Sequence, residues 1–306
     1  MDELKEKRKK EFLPIFFMGC FFVIINGFAL LLSRIFIGAG MEVFEQANDP
    51  MNLVWVFVTV LGMTVFILLI AKFWKKRLIQ LIILFAVGYT SFYIFFPLFS
   101  LVISDLFITV FFSIILAVCL VVVLVKYPEW YIIDLCGIII GAGAIALFGI
   151  SLSILLVLIL LIGLAVYDAI SVYKTKHMID LADAVMDLKL PTLLVVPKIR
   201  HYSFLKETKR LKEKLQDGEE REAFFMGLGD VVMPGILVAT VYAGDPSWLP
   251  VALSVLVGTL VGFSVLMTFV IKGKPQAGLP LLCSGAILGY LISSYVFFGA
   301  LVGFSI

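Results

Sequence analysis

An all-α, polytopic membrane protein is the fold this sequence predicts, and three observations predict it. Of the 306 residues, 62% are hydrophobic and 15% charged, against a typical apolar share of roughly 45–50% in soluble domains. The apolar residues form nine runs long enough to cross a bilayer, and the charges gather in the stretches between them. A soluble single domain is therefore excluded, because it would need polar residues spread over its surface. The 28 phenylalanines exclude disorder, and four cysteines are too few for a disulfide scaffold. Cys20, Cys119, Cys136 and Cys283 all lie in apolar runs and read as small apolar side chains rather than zinc ligands.

A spanning helix needs about 20 apolar residues, since a bilayer core is about 30 Å thick and a helix rises 1.5 Å per residue. The candidates are Phe12–Ile37, Met51–Phe73, Leu78–Leu98, Val102–Val125, Tyr131–Gly149, Ser151–Tyr173, Ala223–Ala243, Trp248–Ile271 and Ala277–Phe304, each bounded by charge, Pro or Gly. The basic stretch Met1–Glu11 precedes the first run, which is too long for a signal-peptide core and reads as a retained span. Three regions follow: a membrane bundle over 1–173, a connecting segment over 174–222 and a second bundle over 223–306.

Lys and Arg concentrate on the cytoplasmic side of short loops. With nine spans and a cytoplasmic N-terminus, every one of the 24 basic residues except Arg34 falls inside. The outer connections carry Glu42, Glu45, Asp49 and Asp245, so Ile306 is expected outside. Eight spans would break this asymmetry. The segment Lys174–Glu222 is the one large interruption. Met178, Leu181, Val185 and Leu188 have the spacing of an interfacial amphipathic helix, and Lys206–Glu222 is mostly charged. Between Pro191 and Pro197 the run Thr192–Val196 reads as a strand that could pair with an extended peptide.

An ionisable residue near the centre of a span costs about 2.5–3.5 kcal/mol or more on insertion scales. Asp168 in the sixth run and Asp230 in the seventh carry that cost with no Lys, Arg or His nearby in the same run. Asp105 and Asp134 also interrupt apolar runs, but lie near expected helix ends where headgroups or water are within reach. Counted along helices, Asp168 sits about 9 Å below Lys174 and Asp230 about 12 Å below Glu222, so the two can face each other. Two carboxyls at one depth in a low dielectric cannot both ionise comfortably, so one is expected to be protonated. Such a pair can activate water on an amide carbonyl, one group taking the water proton and the other hydrogen-bonding the carbonyl oxygen. Pro234 deprives the Asp230 carbonyl of its helical partner, and Gly227 and Gly229 clear the approach. The pairs Gly137/Gly141, Gly258/Gly262 and Gly285/Gly289 read as helix packing.

Tyr167-Asp168, then Gly227-Leu228-Gly229-Asp230, then Ala277-Gly278-Leu279-Pro280 at the start of the last run together resemble the presenilin and signal peptide peptidase family of intramembrane aspartyl proteases. The resemblance covers the second half of the chain; the first five runs add only number and hydrophobicity. It implies that Asp168 and Asp230 are the catalytic pair. It also implies that Tyr167, Gly227, Leu228 and Gly229 are motif neighbours, and that Ala277, Gly278, Leu279 and Pro280 lie near the substrate backbone. The third motif departs from the family's usual Pro-Ala-Leu, reading Ala-Gly-Leu here. Gly-Leu-Gly-Asp-Val-Val-Met-Pro-Gly is similar to the signal peptide peptidase version, whereas the topology matches presenilin, most like compact archaeal homologues.

The implied activity is hydrolysis of single-pass helices within the cell membrane, with water as nucleophile, no metal or organic cofactor and no nucleic-acid partner. A helix in hydrocarbon hides its amides, so the substrate must unwind, and Thr192–Val196 could hold it as an added strand. Two other readings use the same pair: a proton-coupled transporter, which needs a polar pathway few residues here offer beyond Asn26, and a scaffold in which the acids only join two helices.

Overall fold

The computed structural model describes residues 2–44, 46–73, 76–172, 193–198, 223–271 and 276–304. Among these, nine α-helices follow the chain: α1 (Asp2–Gly38), α2 (Pro50–Phe73), α3 (Lys76–Ser100), α4 (Leu106–Lys126), α5 (Trp130–Ser151), α6 (Ile154–Ile170), α7 (Leu228–Gly244), α8 (Leu249–Ile271) and α9 (Gly278–Phe298). Strands β1 (Leu193–Pro197) and β2 (Ala223–Gly227) lie between α6 and α7. Helices α1, α3, α4, α5, α8 and α9 contain segments long and apolar enough to cross a membrane, while α6 and α7 are apolar but have 17 residues each. The amphipathic spacing over Met178–Leu188, Thr192 and the charged stretch from Lys206 lie outside the described residues.

The helices are built for lipid. Phe85, Phe107, Val118 and Ile292 are exposed on outer faces, whereas the buried hydroxyls of Ser113, Thr240 and Thr259 donate to carbonyls four residues back at 2.7, 2.8 and 2.9 Å. Polar groups thus find partners within their own helix, as an apolar solvent requires. Asp105 is the exposed N-cap of α4 and accepts the Ile108 N–H at 3.0 Å. At Arg34, the one basic residue expected near the outer face, the guanidinium stacks 4.8 Å over the Tyr242 ring and acts on Asp245. The Ser247 backbone N–H, its hydroxyl and then Arg34 hold the Asp245 carboxyl below the ordinary carboxylate range.

Two corrections to the sequence reading concern the seventh run and Asp134. Ala223–Gly227 forms a strand, so the helix begins at Leu228 rather than Ala223. Its partner is β1, antiparallel, with Val195 opposite Phe225 and Leu193 opposite Gly227. The alternation explains why: Leu194, Val196 and Met226 enter the main core with Phe22, Leu237 and Val255, while Val195 and Ala223 enter a second cluster with Val87, Leu124 and Ile133. The fold is therefore mainly helical with a buried two-stranded ribbon, rather than all-α. Asp134 does not reach water. It is 3% exposed and accepts the Val195 N–H at 2.8 Å.

Because β1 is covered on both faces, it supports the bundle as well as crossing it. Leu194 is fully buried, so Leu194→Ala should lower unfolding free energy by about 2–5 kcal/mol, the usual penalty for such a cavity. A thermal melt in detergent reads this directly, and an unchanged midpoint would show that the ribbon is not part of the core.

Helices α8 and α9 make the closest contact. A Cβ on Gly285 or Gly258 would strike the other's carbonyl, and one on Gly289 would lie 2.5 Å from the Ser254 carbonyl oxygen. Backbone meets backbone here, as small residues permit in membranes where hydrophobicity gives no drive for association. This contact fixes the start of α9 against the rest of the bundle.

Candidate active site

Three helix ends bring the motif residues together. Asp168 lies in the last turn of α6 and Asp230 in the first turn of α7. Gly278 and Leu279 open α9. A helix leaves its first N–H groups without internal partners. At α9 the N-cap is Ala277, whose methyl makes no capping bond, and Pro280 has no N–H to satisfy.

The missing cap comes from another helix. Asp168 Oδ2 accepts the Leu279 N–H at 3.1 Å, and the neighbouring Gly278 amide also favours the charge of this carboxyl. The positive end of α9 adds to the attraction for this carboxyl.

Asp230 approaches the same glycine from α7. A Cβ built on Gly278 would lie 3.5 Å from Asp230 Oδ2 and 3.6 Å from its Cγ. The head of α9 thus lies beside both carboxyls, Leu279 donating its amide to Asp168 and the Cβ side of Gly278 facing Asp230. The two carboxyls are within electrostatic reach of each other, and Cys283, one turn along α9 and fully buried, feels both. Gly227 completes the surround: a Cβ there would lie 3.3 Å from Asp230 Oδ2. Deeper in α7, the helix at Pro234-Gly235 packs so closely that a Cβ on Gly235 would lie 2.6 Å from Ile145 and 2.8 Å from Asn26 Oδ1. Helices α1 and α5 thereby hold the Pro-containing turn that follows Asp230.

The remaining motif residues are placed differently. Tyr167 is 63% exposed, whereas Ala277 is fully buried. Leu228 and Gly229 line an apolar cavity of about 350 Å³ between α3, α5 and α7, with Ile83, Val87, Thr90 and Val232. No Cβ added to Gly229 would meet a heavy atom within 4 Å, so this side of the motif is open.

Sequence reasoning missed the trans cap and Asp134. A signal for the first was available: Ala-Gly-Leu-Pro opens a helix with no residue able to cap it. At Gly278 the contact distances are ordinary, so restoring the family's alanine should be harmless. Gly278→Ala is expected to keep activity within about threefold of wild type in initial-rate assays, since a methyl there needs no side-chain movement. A complete loss would mean that the space beside Asp230 must remain empty for substrate.

Comparison with known proteins identifies relatives of the chain. Residues 19–300 match the family model described as signal-peptide peptidase, presenilin aspartyl protease. Two solved structures of a presenilin family intramembrane aspartate protease are similar to the chain. The one in space group P2 is 34% identical with a TM-score of 0.69, covering 91% of this chain and 96% of its own. The one in C222 is 35% identical with a TM-score of 0.71, covering 92% and 99%. No curated protein matches.

Proposed function

Because the chain belongs to the signal-peptide peptidase and presenilin family and is a multi-pass intramembrane aspartyl protease, we propose that Asp168 and Asp230 are its two catalytic carboxyls. The observation that carries this is their convergence on the head of α9, Asp168 through the Leu279 N–H and Asp230 beside the space that a Cβ on Gly278 would fill. The pair shares a proton. The ionised carboxylate removes a proton from water as its oxygen attacks the scissile carbonyl carbon, and the protonated partner hydrogen-bonds the carbonyl oxygen. Collapse of the tetrahedral intermediate returns a proton to the leaving nitrogen.

Substrates of this family lie in the bilayer, and we take those of this chain to be single-pass helices. Their amides are closed within helical hydrogen bonds, so a stretch must unwind before water can attack. An extended substrate joins the β1–β2 ribbon as a third strand, which carries the scissile bond toward Asp230 because β2 continues into Leu228. The nine helices are read as nine spans with the N-terminus cytoplasmic and Ile306 outside, on the distribution of Lys and Arg. The bundles 1–173 and 223–306 are then joined by the cytoplasmic segment 174–222.

Reconstituted wild-type protein offered a panel of single-span peptides tests the activity. New termini inside the span, found by mass spectrometry, support the reading. Intact peptides together with proton uptake into the vesicles would sink it in favour of transport.

A further inference from the structure

Asp134 is a third carboxyl within the bundle, and the chemistry above does not use it. It is buried in the second turn of α5, and its partner Val195 belongs to the apolar cluster of Val87, Leu124, Ile133 and Cys136, a setting in which a carboxyl is costly. Its Oδ1 accepts the Val195 N–H, and its Oδ2 meets no partner among the described residues. That N–H points out of the ribbon toward α5, away from β2.

The ribbon has a register problem that this bond solves. Strand register is set where one face is apolar and the other polar, because a slip by one residue exchanges the faces. Here both faces are apolar and both are buried, with Leu194 and Val196 on one side and Val195 on the other. Hydrophobicity therefore distinguishes the native register from a slipped one only weakly. A directional bond to a fixed helix does distinguish them, as a buried polar residue does in a coiled coil.

We propose that Asp134 is a positioning residue for proteolysis, clamping β1 to α5 and so fixing the register in which β2 delivers Asp230 and the substrate strand. The inference rests on the proteolytic reading of Asp168 and Asp230. It assigns to Asp134 control over which bond is cut, a quantity that simple loss of stability does not alter.

The test is the product pattern of one single-span peptide, resolved by mass spectrometry, for reconstituted variants. Asp134→Asn keeps an acceptor oxygen and should keep the wild-type cleavage site. Asp134→Leu removes it and should give cuts displaced along the peptide, with kcat/KM down by about tenfold, the order of one lost buried hydrogen bond. Val195→Pro removes the donor instead and should give the same displaced cuts; it carries the test if the Leu variant does not fold. Wild-type products from either the Leu or the Pro variant would overturn the proposal, as would an Asn variant as displaced as Leu. Asp230→Asn is run alongside. Cleavage by that control would refute the catalytic pair, leaving the product patterns to judge the clamp.

Discussion

Asp168→Asn and Asp230→Asn should each reduce cleavage by at least about 10²–10⁴-fold, the usual contribution of positioned acid–base groups. The substitution is isosteric, and an amide oxygen can still accept the Leu279 N–H that Asp168 holds. The fold should therefore survive, with thermal midpoints close to wild type. What is lost is the capacity to take or give a proton. Since the two groups act on one water, the double variant should be no worse than the poorer single one. Initial rates on a reconstituted single-span peptide check both points. Residual cleavage near the wild-type rate in either variant would mean that one carboxyl suffices or that the pair only joins α6 to α7.

A second large effect is expected far from the carboxyls. Gly285→Ala places a methyl on the carbonyl of Gly258, and a backbone atom cannot swing aside as a side chain can. Helices α8 and α9 must then separate, at a cost of about 1–3 kcal/mol or more for overpacking. The movement displaces Gly278 and Leu279 at the head of α9, so the cap on Asp168 and the contact with Asp230 are lost together. Cleavage should fall by at least about tenfold, because small misplacements of catalytic groups are amplified in rate. Gly27→Ala is the control: no heavy atom lies within 4 Å of the added Cβ, and helix propensity favours alanine. Melting midpoints and rates for the two variants separate packing from composition. Equal behaviour would show that the α8–α9 contact does not set the site.

These expectations trace how far the sequence could be read. Length and hydropathy mark helices wherever an apolar run is bounded by charge, which is why the described helices overlap the expected runs. The two aspartates stand out because charge in an apolar run is costly. Of the ribbon, β1 was legible in the run Thr192–Val196 between two prolines, whereas β2 was not. Ala223-Phe224-Phe225-Met226-Gly227 continues without a polar break into α7, and an element buried on both faces has no alternation to reveal it. Asp134 was placed near water because only its distance from the end of α5 was visible in the chain. The strand that covers it comes from 61 residues away. Likewise the cap on α9 is supplied by a residue 111 positions earlier, so Ala-Gly-Leu-Pro shows locally that a cap is missing but not which residue provides it.

The two helices carrying the aspartates are also the short ones. Seventeen residues each give a rise of about 25 Å, against about 30 Å for a bilayer's hydrocarbon core. Helix α7 is largely buried, but lipid beside the exposed Leu155, Ile159 and Ile162 of α6 is expected to thin or tilt to meet this mismatch. Acyl-chain length is therefore expected to bear on the reaction: a thinner host membrane brings interfacial water nearer Asp168, in the last turn of α6, without any ligand binding to the protein.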